Sequence, residues 1–100
     1  MGSGYKISWT NEAKRDLSLI INYLETNWSE REIRRFFQRL EQTLETILQS
    51  PQLYKLVDKR KNVRKCLLSK QTSIYFKVED DKIFLITLFD NRQDPKKLKI

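Results

Sequence analysis

The sequence predicts a small α+β fold, ordered β-α-α-β-β-β, in which an antiparallel-rich sheet carries a helical hairpin on one face. Three observations predict it. Ile83-Phe84-Leu85-Ile86-Thr87-Leu88-Phe89 is a short apolar run without alternation, rich in β-branched and aromatic residues. Such a run reads as a strand buried on both faces, in need of partner strands and an apolar cover. Two stretches with helical spacing, 13–28 and 33–48, can supply that cover. Finally, Thr72–Val78 alternates and leads through Glu79-Asp80-Asp81 into the apolar run, as a tight hairpin does.

Taken in order, Met1-Gly2-Ser3-Gly4 reads as a cloning remnant, leaving 5–100 as a single domain. Tyr5-Lys6-Ile7-Ser8-Trp9 alternates and fits a half-exposed edge strand. Thr10 or Asn11 can cap the helix that follows, with Glu12 in the first turn where the helix dipole favours a carboxylate. Ala13, Leu17, Ile20, Ile21, Leu24 and Trp28 form its apolar stripe, opposite Lys14, Arg15, Ser18, Asn22 and Glu25. Ser29-Glu30-Arg31-Glu32 is a capping box, which opens a second helix carrying Ile33, Phe36, Phe37, Leu40, Leu44, Ile47 and Leu48 on one stripe. Ser50-Pro51 stops it, because a residue before proline is disfavoured in the helical region. The short link between the helices makes them a hairpin.

Gln52–Lys61 reads as a basic connector, with Leu53, Tyr54, Leu56 and Val57 tucked onto the helices. Val63–Leu68 is the next strand, with imperfect alternation. In Thr72–Val78, Ile74, Phe76 and Val78 point inward while Ser73, Tyr75 and Lys77 point outward. After Asp90, the tail Asn91–Leu98 has turn chemistry and no core pattern. The expected sheet leaves one face relatively open.

Charge is the most informative part of the composition. The net +7 is carried entirely by residues 55–100, since bases and acids balance in 1–54. Within Lys55–Lys70, Lys55, Lys59, Arg60, Lys61, Arg64, Lys65 and Lys70 face a single acid, Asp58. Such a cluster attracts polyanions or an acidic partner. Past Gly4 the chain has no glycine, which removes every glycine-rich phosphate loop. The chain has no histidine and one cysteine, Cys66, so neither a zinc-type cluster nor an internal disulfide is expected. No apolar run approaches the roughly 20 residues of a membrane span, and a cytoplasmic, cofactor-free protein is expected.

The same composition narrows the chemistry. Nucleophilic triads lack their usual base, and Asp80-Asp81 reads as a solvated turn rather than a metal site. Metal-free phosphodiester cleavage survives, because Lys and Arg can neutralise the reacting phosphate and shuttle a proton. Its candidates are Lys55, Lys59, Arg60, Lys61, Arg64, Lys65 and Arg92. Tyr75 could stack on a base or simply pack, and Cys66 beside Lys65 reads as a buried, inert thiol.

The element order, Ile7-Ser8-Trp9-Thr10-Asn11-Glu12-Ala13, Ser50-Pro51, Ile74-Tyr75-Phe76-Lys77-Val78 and Leu88-Phe89-Asp90-Asn91-Arg92-Gln93-Asp94-Pro95 together resemble the RelE/ParE superfamily of bacterial toxins. The resemblance spans essentially Tyr5–Leu98. It implies the toxin of a type II toxin–antitoxin pair, neutralised by a cognate antitoxin, commonly in a higher-order complex. The RelE-like branch cleaves mRNA on the ribosome with Lys, Arg and a late Tyr or His. The ParE-like, plasmid-stabilisation branch is understood to inhibit DNA gyrase by binding. This sequence keeps Arg60, Lys61, Arg64, Lys65 and the late Arg92, but Phe89-Asp90-Asn91-Arg92 offers no Tyr or His. The resemblance therefore points to the ParE-like branch and a gyrase inhibitor. The alternatives are a RelE-like, metal-independent endoribonuclease and a non-toxic binding module. Arg64, Lys65, Tyr75, Lys77 and Arg92 are the expected contacts for antitoxin or target. For Arg92 an ion pair with Asp90 or Asp94 competes with that role.

Overall fold

Five strands and two helices make up the fold in the computed structural model, which describes residues 4–100. Residues 1–3 of the expected cloning remnant lie outside the described residues. The elements are β1 (Lys6–Trp9), α1 (Asn11–Asn27), α2 (Glu30–Gln49), β2 (Lys55–Asp58), β3 (Val63–Leu67), β4 (Thr72–Glu79) and β5 (Lys82–Asp90). Short 3-10 turns cover Pro51–Leu53 and Pro95–Lys97. Strand order across the sheet is β1-β5-β4-β3-β2, with β1 parallel to β5 and the other pairs antiparallel.

The apolar run expected to be central does sit inside the sheet, between β1 and β4. The connector reading of 52–61 is corrected: Lys55–Asp58 forms an edge strand paired with β3. Its alternation was hidden by a bulge, since the register shifts between Leu56 and Asp58. Leu53 does not tuck onto the helices but is 80% exposed, and Val57 is exposed as well. Tyr54 does pack against the core, edge-on to Phe76. Beyond Gly4, the left-handed backbone positions fall on Asn62 and Asp80, in the β2–β3 and β4–β5 turns. Asn and Asp are the residues that best tolerate that region.

The core lies between the helices and one sheet face. Ala13 of α1 and Leu40 and Ile47 of α2 meet Cys66, Ile74, Phe76, Ile83, Leu85 and Leu88 of the strands. The helices begin as the sequence requires: the Thr10 hydroxyl caps α1, and Ser29 with Glu32 closes a capping box on α2. Trp28, which ends the α1 stripe, caps the helix and remains partly exposed.

The expectation of an open second face is also corrected. The tail after β5 returns along it. At one end Ser73 Oγ donates to Asn91 Oδ1 at 2.8 Å, and at the other Lys61 Nζ reaches the Ile100 carbonyl at 2.8 Å. On the face away from the helices Val63, Ser73 and Tyr75 are buried, while Leu67 beside them stays exposed.

One irregularity fixes how the helices meet the sheet. Tyr75 pairs with Thr87 but Phe76 pairs with Leu85, so Ile86 is an extra residue in β5. The bulge keeps Leu88 opposite Ile74 and therefore in the core. It occurs where β1 has ended, and α1 takes over the backbone groups there. Thr10 Oγ1 contacts the carbonyls of Leu85 at 2.6 Å and Ile86 at 3.1 Å. Asp16 Oδ2 accepts from the Leu88 amide at 3.1 Å and from the Thr87 hydroxyl.

Asp16→Ala would strand the Leu88 amide and the Thr87 hydroxyl in a partly buried site. We expect urea unfolding to show a loss of about 2–3 kcal/mol, with Asp16→Asn recovering part of it. The exposed neighbour Lys14→Ala should stay within about 0.5 kcal/mol of the parent.

Candidate functional site: a helix–sheet groove and a basic hairpin

A groove of about 460 Å³ lies between the C-terminal half of α1, the N-terminal half of α2 and the sheet end that carries Asp90. Leu19, Ile20, Tyr23 and Leu24 of α1, Trp28 at the corner, and Phe36 of α2 give it an apolar wall. Leu19 and Tyr23 are more than half exposed. They lie four residues apart and widen the apolar stripe of α1 beyond what its core contact needs. Ser69, Gln71 and Thr72 form the far rim, with Leu88, Asp90, Arg92 and Gln93.

The charges around this groove are unequal in availability. Asp16 is committed to the sheet, and Glu32 to the Ser29 amide and hydroxyl. Asp90 is held by Arg92 through a fork: Nε to Oδ1 at 3.0 Å and Nη2 to Oδ2 at 2.7 Å. These hydrogen bonds hold the Asp90 carboxyl below the ordinary carboxylate range. Among the described residues, Arg35 and Arg39 on the α2 side have no ion pair. With its acids engaged, the groove offers uncommitted positive charge beside an apolar wall.

The residues singled out from sequence are distributed rather than gathered. Arg60 and Lys61 sit in the β2–β3 turn, exposed, where Asp58 Oδ1 accepts from the Lys61 amide. Arg64 turns to the helix side and donates through Nη1 to the carbonyls of Tyr54 at 2.7 Å and Gln52 at 3.3 Å. Lys65 lies on the other face, its Nζ 6.0 Å from the Tyr75 ring centroid. Tyr75 lies on the outward face expected for it, yet is only 5% exposed, so it has no ring surface free for a base. Lys77 pairs with Glu79 at 3.1 Å. Arg92 pairs with Asp90, one of the two acids weighed against a binding role for it, at the opposite end of the strands from Arg60 and Lys61. At ~3.3 Å per residue, that separation is roughly 20 Å.

Groove residues Asp16, Leu19, Tyr23, Arg35 and Arg39 were not singled out by sequence reasoning. The signal available was the pair Leu19 and Tyr23, apolar side chains one turn apart and outside the core stripe.

This arrangement, a helical hairpin on one face of a five-stranded sheet that begins with a parallel edge strand, defines a small toxin-type α+β fold. The chain belongs to the ParE toxin family of type II toxin–antitoxin systems (parDE), which matches residues 7–95. It is similar in fold to the chromosomal ParDE toxin–antitoxin system from P. aeruginosa, with a TM-score of 0.71 and 17% identity over 86% of this chain and 95% of that one. It is also similar to a chain of the E. coli DinJ-YafQ toxin–antitoxin complex, with a TM-score of 0.59 and 13% identity over 89% of this chain and 94% of that one. A copper-bound mutant toxin from Helicobacter pylori aligns with a TM-score of 0.55 and 18% identity over 88% of this chain and 96% of that one. Among curated proteins, none matches. No helix among the described residues is long and apolar enough to cross a membrane.

Cys66 is buried, and burial pushes its thiol above the ordinary range, offset in part by a hydrogen bond with Tyr54. The unfolded chain therefore loses this proton at lower pH than the folded chain does. The contribution to stability is complete below the ordinary thiol pKa and is lost as pH rises through the folded value. We expect native protein to resist a thiol reagent that labels the urea-unfolded chain. The alkaline fall in stability should be shallower in Cys66→Ala, as measured by urea unfolding between pH 7 and 10.

Proposed function

We propose that this chain is a ParE-like toxin that acts in the cytoplasm by binding DNA gyrase, without chemistry of its own, and is neutralised by an antitoxin. The observation that carries the non-catalytic reading is the dispersal of the cations that RNA cleavage would need. Arg64 is committed to backbone carbonyls on the helix side, and Arg92 to Asp90. Arg60 and Lys61 stand at the other end of the sheet from Arg92. A phosphate in transit would need several of these groups within hydrogen-bond reach of one another. Residues 88–95 supply no Tyr or His of their own to exchange protons, and the Tyr23 that shares the groove with Arg92 comes from α1.

The groove is the antitoxin seat in this reading. An apolar wall with Arg35 and Arg39 beside it suits an amphipathic helix carrying carboxylates along one flank. The helix would bury Leu19, Tyr23 and Trp28, which are otherwise left in water. Assembly of the ParDE and DinJ-YafQ systems as toxin–antitoxin pairs supports a partner of this kind.

Inducing the chain in bacteria without its partner, with DNA and protein synthesis pulse-labelled in parallel, tests the target. We expect DNA synthesis to fall first, within minutes. Protein synthesis falling first would favour the ribosome-dependent endonuclease, and no fall in either would leave a binding module. For the seat, Leu19→Glu with Tyr23→Ala should weaken antitoxin binding by roughly 10-fold or more while growth arrest persists. Unchanged antitoxin affinity in that variant would place the partner elsewhere.

A further inference from the structure

The β2–β3 hairpin carries the densest charge in the molecule, and the groove does not use it. Lys55 and Lys65 are directly opposed across β2 and β3. Like charges in that position destabilise a sheet. Lys59, Arg60 and Lys61 crown the turn, all exposed. Asp58, the one acid of the hairpin, accepts from the Lys61 amide within the turn at 3.1 Å. Among the described residues none of these five cations has an ion pair, and Lys61 Nζ is satisfied only by the Ile100 carbonyl. That last contact brings the end of the tail, with exposed Lys97 and Lys99, beside the same hairpin.

Two further features narrow the partner. The free edge of β2 is four residues long, broken by a bulge and charged at both ends by Lys55 and Asp58, so it is a poor template for an added peptide strand. Neither ring near these cations offers a free stacking face: Tyr75, against Lys65, is buried, and Tyr54 packs on Phe76. Single-stranded nucleic acid is gripped largely by such stacking, whereas a duplex is held through its phosphates by lysine and arginine alone.

We propose that the Lys55–Lys65 hairpin is a prong that grips the phosphate backbone of duplex DNA without reading its sequence. The proposal is independent of whether the chain inhibits gyrase, since it concerns a surface remote from the groove and needs no second protein. Each phosphate neutralised releases counterions, so binding weakens steeply with salt.

The test is fluorescence anisotropy of a labelled 20-base-pair duplex titrated with the purified chain between 50 and 200 mM salt. We expect micromolar affinity at the low end and a slope of log affinity against log salt of about −4.5, near −0.9 for each of the five cations. Lys59→Glu with Arg60→Glu should weaken binding by at least about 10-fold and flatten the slope by roughly 2. Lys14→Glu with Arg15→Glu makes the same change in net charge on exposed α1 and should leave affinity within about 2-fold. Absence of duplex binding at 50 mM salt would overturn the proposal. Equal losses in both double variants would overturn it too, since they would reduce the effect to net charge. Tighter binding of single-stranded RNA, or of an oligo-glutamate peptide, would reassign the prong to that partner and overturn it as well.

Discussion

The grip of α1 on the bulge in β5 is the constraint on which the rest of the structure depends. A strand that is central at one end and loses its β1 neighbour after Leu85 would expose amides and carbonyls beside the core. An unpaired buried backbone group costs about as much as a hydrogen bond is worth. Thr10 and Asp16 answer that need from the first two turns of the adjoining helix, and Thr10 caps the same helix. One short segment therefore ends β1, starts α1 and fixes the helix against the sheet. The extra residue Ile86 returns Leu88 to the core, where Ala13, Ile74 and Phe76 are buried with it.

Fixing α1 in this way leaves its outer flank unmatched. Asp16 faces the sheet, so Leu19 and Tyr23, further along the helix, look across a gap to Phe36 on α2. The groove is thus a by-product of how the sheet is closed. Its polarity follows from which charges the fold has already consumed. Asp16 and Glu32 complete backbone hydrogen bonding, and Asp90 holds Arg92, so positive charge remains on α2. The basic hairpin lies toward the opposite end of the strands, which gives the chain two surfaces of different chemistry: one apolar with cations at its edge, the other almost purely cationic.

Much of this was legible in the sequence because it depends on local chemistry. The capping box at Ser29-Glu32, the Ser50-Pro51 stop and the turn at Glu79–Lys82 each rest on neighbouring residues, and the structure has them where the pattern places them. The ion pair of Arg92 with Asp90, two residues away, is legible for the same reason. What stayed hidden depends on distant partners. β2 is too short and too charged to show a strand pattern, and only its pairing with β3 reveals it. Tyr75 reads as outward from alternation alone, because nothing in a tail full of turn residues announces that it will lie across the sheet. Asp16 looks like an ordinary helix-surface acid until β5, some seventy residues later, brings it an orphaned amide. Arg64 reads as a free cation until the Gln52 and Tyr54 carbonyls are placed beside it.

In the proposed reading the groove, rather than the basic hairpin, receives the neutralising partner. Amide hydrogen exchange of the chain, alone and with its antitoxin bound, tests it most directly. Added protection should concentrate in Leu19–Trp28, in Glu32–Arg39, and in the Ser69–Thr72 and Leu88–Gln93 segments, while Lys55–Lys65 exchanges as before. Protection centred on Lys55–Lys65, with the α1–α2 hairpin unchanged, would contradict it.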